Sequence, residues 1–185
     1  MIYGWKKIVR YGLPLLTLCV FIEMFAGQML QGGQNTLLKI PIFLISIPAI
    51  NGVGGNIGSI LGARLASGLH VGSITLDIRD KKMHENLLTS LLMGIITYAV
   101  LAILIYYMAS FSGATMGIGL IEFVFVLLAV GALLVSVVSV ASIFTAFLSF
   151  KRGMDPDDFV APVVTTIGDT MGITFLFLLI GAVGI

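Results

Sequence analysis

Few side chains in this sequence can do chemistry at membrane depth, and most of them fall in two segments. One is Pro162-Val163-Val164-Thr165-Thr166-Ile167-Gly168-Asp169-Thr170-Met171-Gly172. Helical spacing places Thr165, Asp169 and Gly172 on one face, with Thr166, Thr170 and Thr174 along the adjacent stripe. Pro162 has no N–H to give the carbonyl of Asp158, which leaves an oxygen free near the start of the same helix. A carboxylate, hydroxyls and loose carbonyls form an oxygen-lined surface. Such a surface suits a hard cation, and Mg²⁺, which sheds water reluctantly, suits a site that reads a largely hydrated ion. The competing reading is a structural aspartate hydrogen-bonded between helices.

The second segment, Pro48-Ala49-Ile50-Asn51-Gly52-Val53-Gly54-Gly55-Asn56-Ile57-Gly58-Ser59, interrupts a long apolar run with glycines and amides. A helix broken at Asn51 to Gly55 would turn carbonyl oxygens toward an ion. Packing is the alternative: Gly54, Gly58, Gly62 and Ala66 form one row of small residues, and Gly55, Ser59, Ala63 and Ser67 another. Packing accounts well for Gly58 onward and poorly for Asn51 and Asn56, since it needs no amides. No GxxxxGK[ST] motif follows these glycines, so nucleotide binding is rejected.

Acidic residues elsewhere are secondary candidates. Asp155, Asp157 and Asp158 precede the last apolar run, where Asp155 suits an N-cap, Pro156 the first helical position, and the other two acids the helix dipole. The same acids could concentrate cations at a pore mouth. Glu23 lies inside the first apolar run and Glu122 near the start of the fourth, while Arg64 is placed to snorkel to an interface. Enzyme chemistry has little support. His70 and His84 are the only histidines, both expected in a solvated connection, and His84-Glu85 lacks the second histidine of a zincin.

The elements that position these residues follow from composition. Of 185 residues, 58% are hydrophobic and 10% charged, against ~45–50% and ~25% in an ordinary soluble domain. A net charge of +1 leaves no footprint for nucleic acid, and a single cysteine, Cys19, excludes an internal disulfide. Five apolar runs are each long enough to cross a bilayer: 11–31, 36–68, 87–109, 118–149 and 159–183. The expected fold class is therefore an all-α integral membrane protein, a single transmembrane domain. The first run contains Glu23 and lacks a small-residue cleavage site, so it is a span and not a signal peptide. Lys6, Lys7, Arg10, then Arg79, Lys81, Lys82, then Lys151, Arg152 all fall on one side, which predicts a cytoplasmic N-terminus and an external C-terminus in a plasma or inner membrane. There is no internal repeat, so a pathway on a symmetry axis would need a second copy of the chain.

The two glycine- and aspartate-bearing segments, in this order and separation, resemble the signature segments of the MgtE family of magnesium channels and transporters. The resemblance covers nearly the whole chain. It implies a homodimer of five-helix protomers in the bilayer with a pore on the two-fold axis. It further implies hydrated Mg²⁺ in contact with Asp169 and with backbone oxygens near Thr165; on the residues themselves Gly55, Asn56, Asn51 and Thr166 are also candidates for the ion pathway, with Asn51 standing where many members have a small residue. Many members carry a cytosolic domain and paired CBS domains that gate the pore; only about ten residues precede the first span here, so no soluble regulatory domain is expected. The expected function is passage of Mg²⁺ as the transported ion, with no enzyme activity. The alternatives are a carrier coupled to H⁺ or Na⁺, or a non-transporting membrane subunit.

Overall fold

A computed structural model describes residues 5–77, 79–115 and 117–184, with the backbone alone for Trp5, Lys7 and Ile8. The elements are α1 (Trp5–Gly32), α2 (Gln34–Lys39), α3 (Pro41–Val71), α4 (Lys81–Phe111), α5 (Leu120–Lys151) and α6 (Pro156–Val183). No strand occurs among the described residues, and five of these helices are long and apolar enough to span a membrane. The protein is thus an all-helical, multi-pass membrane protein. The helices overrun most of the expected spans because polar residues cap them. Asp80 accepts hydrogen bonds from the backbone N–H groups of Lys82 and Met83 at the start of α4, Glu122 accepts one from Gly119 N–H at the start of α5, and Asp155 accepts one from Asp157 N–H at the start of α6.

Two expectations are corrected. The run 36–68 is not one span but α2 followed by α3, and the chain bends at Ile40, immediately before Pro41, where the extended backbone that proline imposes on its predecessor interrupts the helix. Nor is there a break at Asn51 to Gly55: α3 is continuous through both. The glycines there shorten distances between helices without opening the backbone. A Cβ on Gly54 would lie 2.6 Å from Leu134 Cδ2, one on Gly58 would collide with Val164, and one on Gly62 with Val160. Close approach of this kind substitutes for the missing hydrophobic drive between helices in lipid. The histidines also differ from expectation. His70 lies in the last turn of α3 with its ring edge-on to Phe150, and His84 in the first turn of α4.

α3, α5 and α6 pack on one another to form the core, α4 covers α3 and α5, and α1 lies outside against α6. Leu13, Phe21 and Met24 of α1 and Leu92, Ile96 and Val100 of α4 are exposed, as lipid-facing residues should be. The α3–α4 connection is knit down. Ser73 and Ile74 N–H donate to the Gly68 carbonyl, and Thr75 donates to Asp80 through both its N–H and its hydroxyl.

Gly62→Val is expected to lower detergent-solubilised stability by about 1–3 kcal/mol without preventing insertion, because the branched side chain must push α6 away at Val160; a thermal unfolding midpoint equal to wild type would refute the close contact. Asp80 generates a second expectation. Thr75 N–H, the Thr75 hydroxyl and the N–H groups of Met83 and Lys82 hold its carboxyl at a pKa of about 2, from an ordinary 3.8. A depressed carboxyl stabilises fully above 3.8 and ceases to do so as pH falls through about 2. Amide exchange at Lys82 and Met83 should therefore be faster in Asp80→Asn than in wild type at neutral pH, and the difference should vanish only below about 2.

Candidate ion site

α3 and α6 carry the two motif segments, and their polar members sit at the helix midpoints. Asn56 is the sixteenth of the 31 residues of α3, and Asp169 the fourteenth of the 28 of α6. Both therefore lie far from either end of their helices. The helices touch there through glycine. Thr165 packs on Gly55, with its Cγ2 3.2 Å from where a Cβ would stand, and a Cβ on Gly168 would lie 3.4 Å from the Gly55 nitrogen. One turn along, Asn51 Nδ2 donates to the backbone carbonyl of Asp169 at 3.3 Å, and the same amide faces the Asp169 side chain. Asn51 Oδ1 is buried against Gly172 with no hydrogen-bond partner. Asn51, Gly55, Thr165 and Asp169 are thus brought together at one level.

The remaining predicted residues separate into three places. Asn56 is exposed, on the row Pro48, Gly52, Asn56 and Ile60 beside the contact. Thr166 is buried and turned the other way, toward α1, where its hydroxyl donates to Glu23 Oε1 at 3.0 Å. Glu23 thereby meets α6 one turn before Asp169. Asp155, Asp157 and Asp158 lie apart: Asp158 is eleven residues before Asp169 on the same helix, about 16 Å along its axis. Asp155 and Asp158 line, with Tyr11 and Arg152, a cavity of about 280 Å³ between α1 and the start of α6.

Apart from that of Thr166, the threonine hydroxyl protons along α6 are spent within the helix. Thr165 Oγ1 donates to the carbonyls of Ala161 and Pro162, Thr170 to Thr166, and Thr174 to Thr170. A threonine whose proton is bonded inward presents only lone pairs outward, which is the polarity a cation needs. The carbonyls of Asn51 to Gly55, by contrast, lie in a continuous helix and are not the loose oxygens that a broken helix would supply.

With this geometry in hand the comparison with known proteins is decisive. Residues 47–179, more than two thirds of the chain, match the family described as MgtE, divalent cation transporter. The chain belongs to the MgtE family. Among curated proteins none matches it closely. MgtE is a transporter family and not an enzyme family, and the matched stretch takes in nearly all of α3 and α6 but none of α1. The two segments that carry the MgtE resemblance are therefore the two that meet where α3 crosses α6.

Three contributors escaped the sequence reading. Tyr98 of α4, fully buried over Gly131, donates to the Ile50 carbonyl at 2.6 Å. Ser142 of α5 donates to the Gly58 carbonyl at 2.7 Å. These grip the MgtE motif of α3 from behind, and nothing in the spacing of a single tyrosine or serine announces a partner 48 or 84 residues away. Cys19 Sγ donates to the Pro162 carbonyl at 3.7 Å from α1. Tyr98→Phe keeps the ring and removes only the clasp, so stability should fall by about 1 kcal/mol. A loss above about 3 kcal/mol, measured by chemical denaturation in detergent, would mean that the ring packing and not the hydroxyl had been disturbed.

Proposed function

We propose that this MgtE-family protein passes Mg²⁺ in largely hydrated form along the α3–α6 face, with Asp169 as the charged ligand and Thr165, Asn51 and Asn56 as neutral oxygen or amide contacts. The single observation that carries the reading is the meeting of Asp169, midway along α6, with Asn51 of the α3 motif, the eleventh of the 31 residues of α3. One carboxylate per protomer is too few to strip a hard divalent ion, and enough to hold one through its water shell. Thr166 is withdrawn from the ion path in this reading, because its hydroxyl is committed to Glu23. Gly55 acts by letting α6 approach and not by offering its carbonyl.

A homodimer completes the proposal. Asn56 is exposed, beside Gly52, midway along α3, and an unpaired amide facing hydrocarbon would cost several kcal/mol. A second copy set against this row removes them from lipid, brings a second Asp169 to a common axis and leaves a wet path between. The N-terminus lies in the cytoplasm in this arrangement, by the distribution of basic residues. The membrane potential then drives entry with ~2.3 kcal/mol per elementary charge per 100 mV, doubled for a divalent ion. Asp155, Asp157 and Asp158 gather cations at the inner mouth.

A coupled carrier is the second reading, favoured by Glu23: a second carboxyl that meets α6 one turn before Asp169 gives a proton or Na⁺ somewhere to bind.

The test is Mg²⁺ flux into proteoliposomes under an imposed potential. Wild type is expected to conduct, and Asp169→Asn, which keeps shape and removes charge, to lose more than about tenfold of the rate while still inserting. Equal flux in both would overturn the assignment of Asp169. Flux that collapses when a proton or Na⁺ gradient is abolished at fixed voltage would select the carrier.

A further inference from the structure

We infer that the cleft between the end of α3 and the start of α4 is a binding site for the headgroup of an anionic phospholipid of the phosphatidylglycerol class. It has a volume of about 450 Å³ and is lined by Arg64, Ser67, Ser73, Lys82, Glu85 and Asn86. Its depth follows from helix length. The 31 residues of α3 extend about 46 Å, against a hydrocarbon thickness of about 30 Å, so its ends project into the headgroup layer. Arg64 lies seven residues before the end of α3, about 10 Å in, and Lys82 is the second residue of α4. The cleft therefore opens at the level where lipid phosphates lie.

Its charge is positive. Glu85 is answered by Lys81 at 3.9 Å, which leaves Arg64 and Lys82 facing the space. The nearby Asp80 is turned away, with both carboxylate oxygens held by Thr75, Lys82 N–H and Met83 N–H. The floor is built and not a slack loop: Ile74 is buried against Gly68, whose carbonyl takes the N–H groups of Ser73 and Ile74. Asn86 is fixed at the wall by its donation to the Lys82 carbonyl at 2.9 Å.

Two cations meet one phosphodiester charge, while the hydroxyls of Ser67 and Ser73 and the carboxylate of Glu85 suit the glycerol hydroxyls. A choline headgroup brings a third cation and no donor for Glu85. Basic clefts between membrane helices recognise anionic headgroups in this way. A lipid is favoured over a free phosphate ester because the cleft continues into lipid-facing surface, Leu88 and Leu92 below Glu85 on α4, both exposed.

Native mass spectrometry of the purified full chain, loaded with equal dioleoylphosphatidylglycerol and dioleoylphosphatidylcholine, tests this with identical acyl chains. Wild type should retain phosphatidylglycerol over phosphatidylcholine by roughly tenfold or more, and Arg64→Gln combined with Lys82→Gln should bring the ratio close to one. Equal retention in wild type, or an unchanged preference in the double variant, would overturn the site. Displacement of the bound lipid by millimolar glycerol 3-phosphate would overturn the lipid in favour of a soluble ester. Should the double variant fail to fold, photoreactive phosphatidylglycerol on wild type decides: labelling within residues 64–86 is expected, and labelling confined elsewhere refutes the proposal.

Discussion

The close approach of α3 and α6 is the constraint on which the rest depends. Gly55 and Gly168 carry no Cβ at the crossing, so the two backbones come within contact of each other, and Thr165 can rest its methyl on Gly55. Only at that distance does the short side chain of Asn51 reach the carbonyl of Asp169. Larger residues at either position would restore the ordinary spacing of 8–10 Å between helix axes and part the amide from its partner. The glycines of the α3 motif are therefore functional through what they leave out. The continuous backbone makes the same point, since the carbonyls of Asn51 to Gly55 stay within the helix and are not turned out toward an ion.

Holding two helices so close in lipid requires support from behind, because apolar contact alone gives little net attraction there. Tyr98 and Ser142 provide it at two levels, bonding the Ile50 and Gly58 carbonyls from α4 and α5. The two bonds lie eight residues apart on α3, about 12 Å, and so bracket the level of Asn51 to Gly55. The α3 face opposite these clamps is the one that holds Gly52 and Asn56 in the open. Rigidity behind and exposure in front are what a surface needs to meet a hydrated ion, or a second protomer, without rearranging.

Much of this architecture was legible in the amino-acid order. Apolar length marked the five spans, and Asp155 lies where a cap should. Asp169 was conspicuous because an acid at membrane depth is costly unless a partner or a wet path receives it. The break at Asn51 to Gly55 was misread because glycine has two uses in a helix, to open it and to let another approach, and local sequence does not distinguish them. Which way Thr166 turns was equally hidden. It differs from Thr165 by one position, and the choice between facing α3 and facing α1 depends on how α6 is rotated in the bundle.

α1 is where local pattern was least informative and where geometry adds most. Cys19 meets Pro162, Glu23 meets Thr166 and Gly33 meets Phe177, a nearly constant offset along two parallel helices. Moving α1 by one turn, about 5.4 Å, would set Glu23 opposite Pro162, which has no N–H, or near Thr170, whose hydroxyl is already given to Thr166. The observed register is the one at which the carboxyl finds a hydroxyl proton. A helix that shows most of its apolar residues to lipid is thus fixed along its axis by two polar contacts with α6, and the stronger of them, Thr166 to Glu23, lies one turn from Asp169. The contact that seats α1 and the one that ties Asp169 to α3 thus lie on two sides of the same stretch of α6.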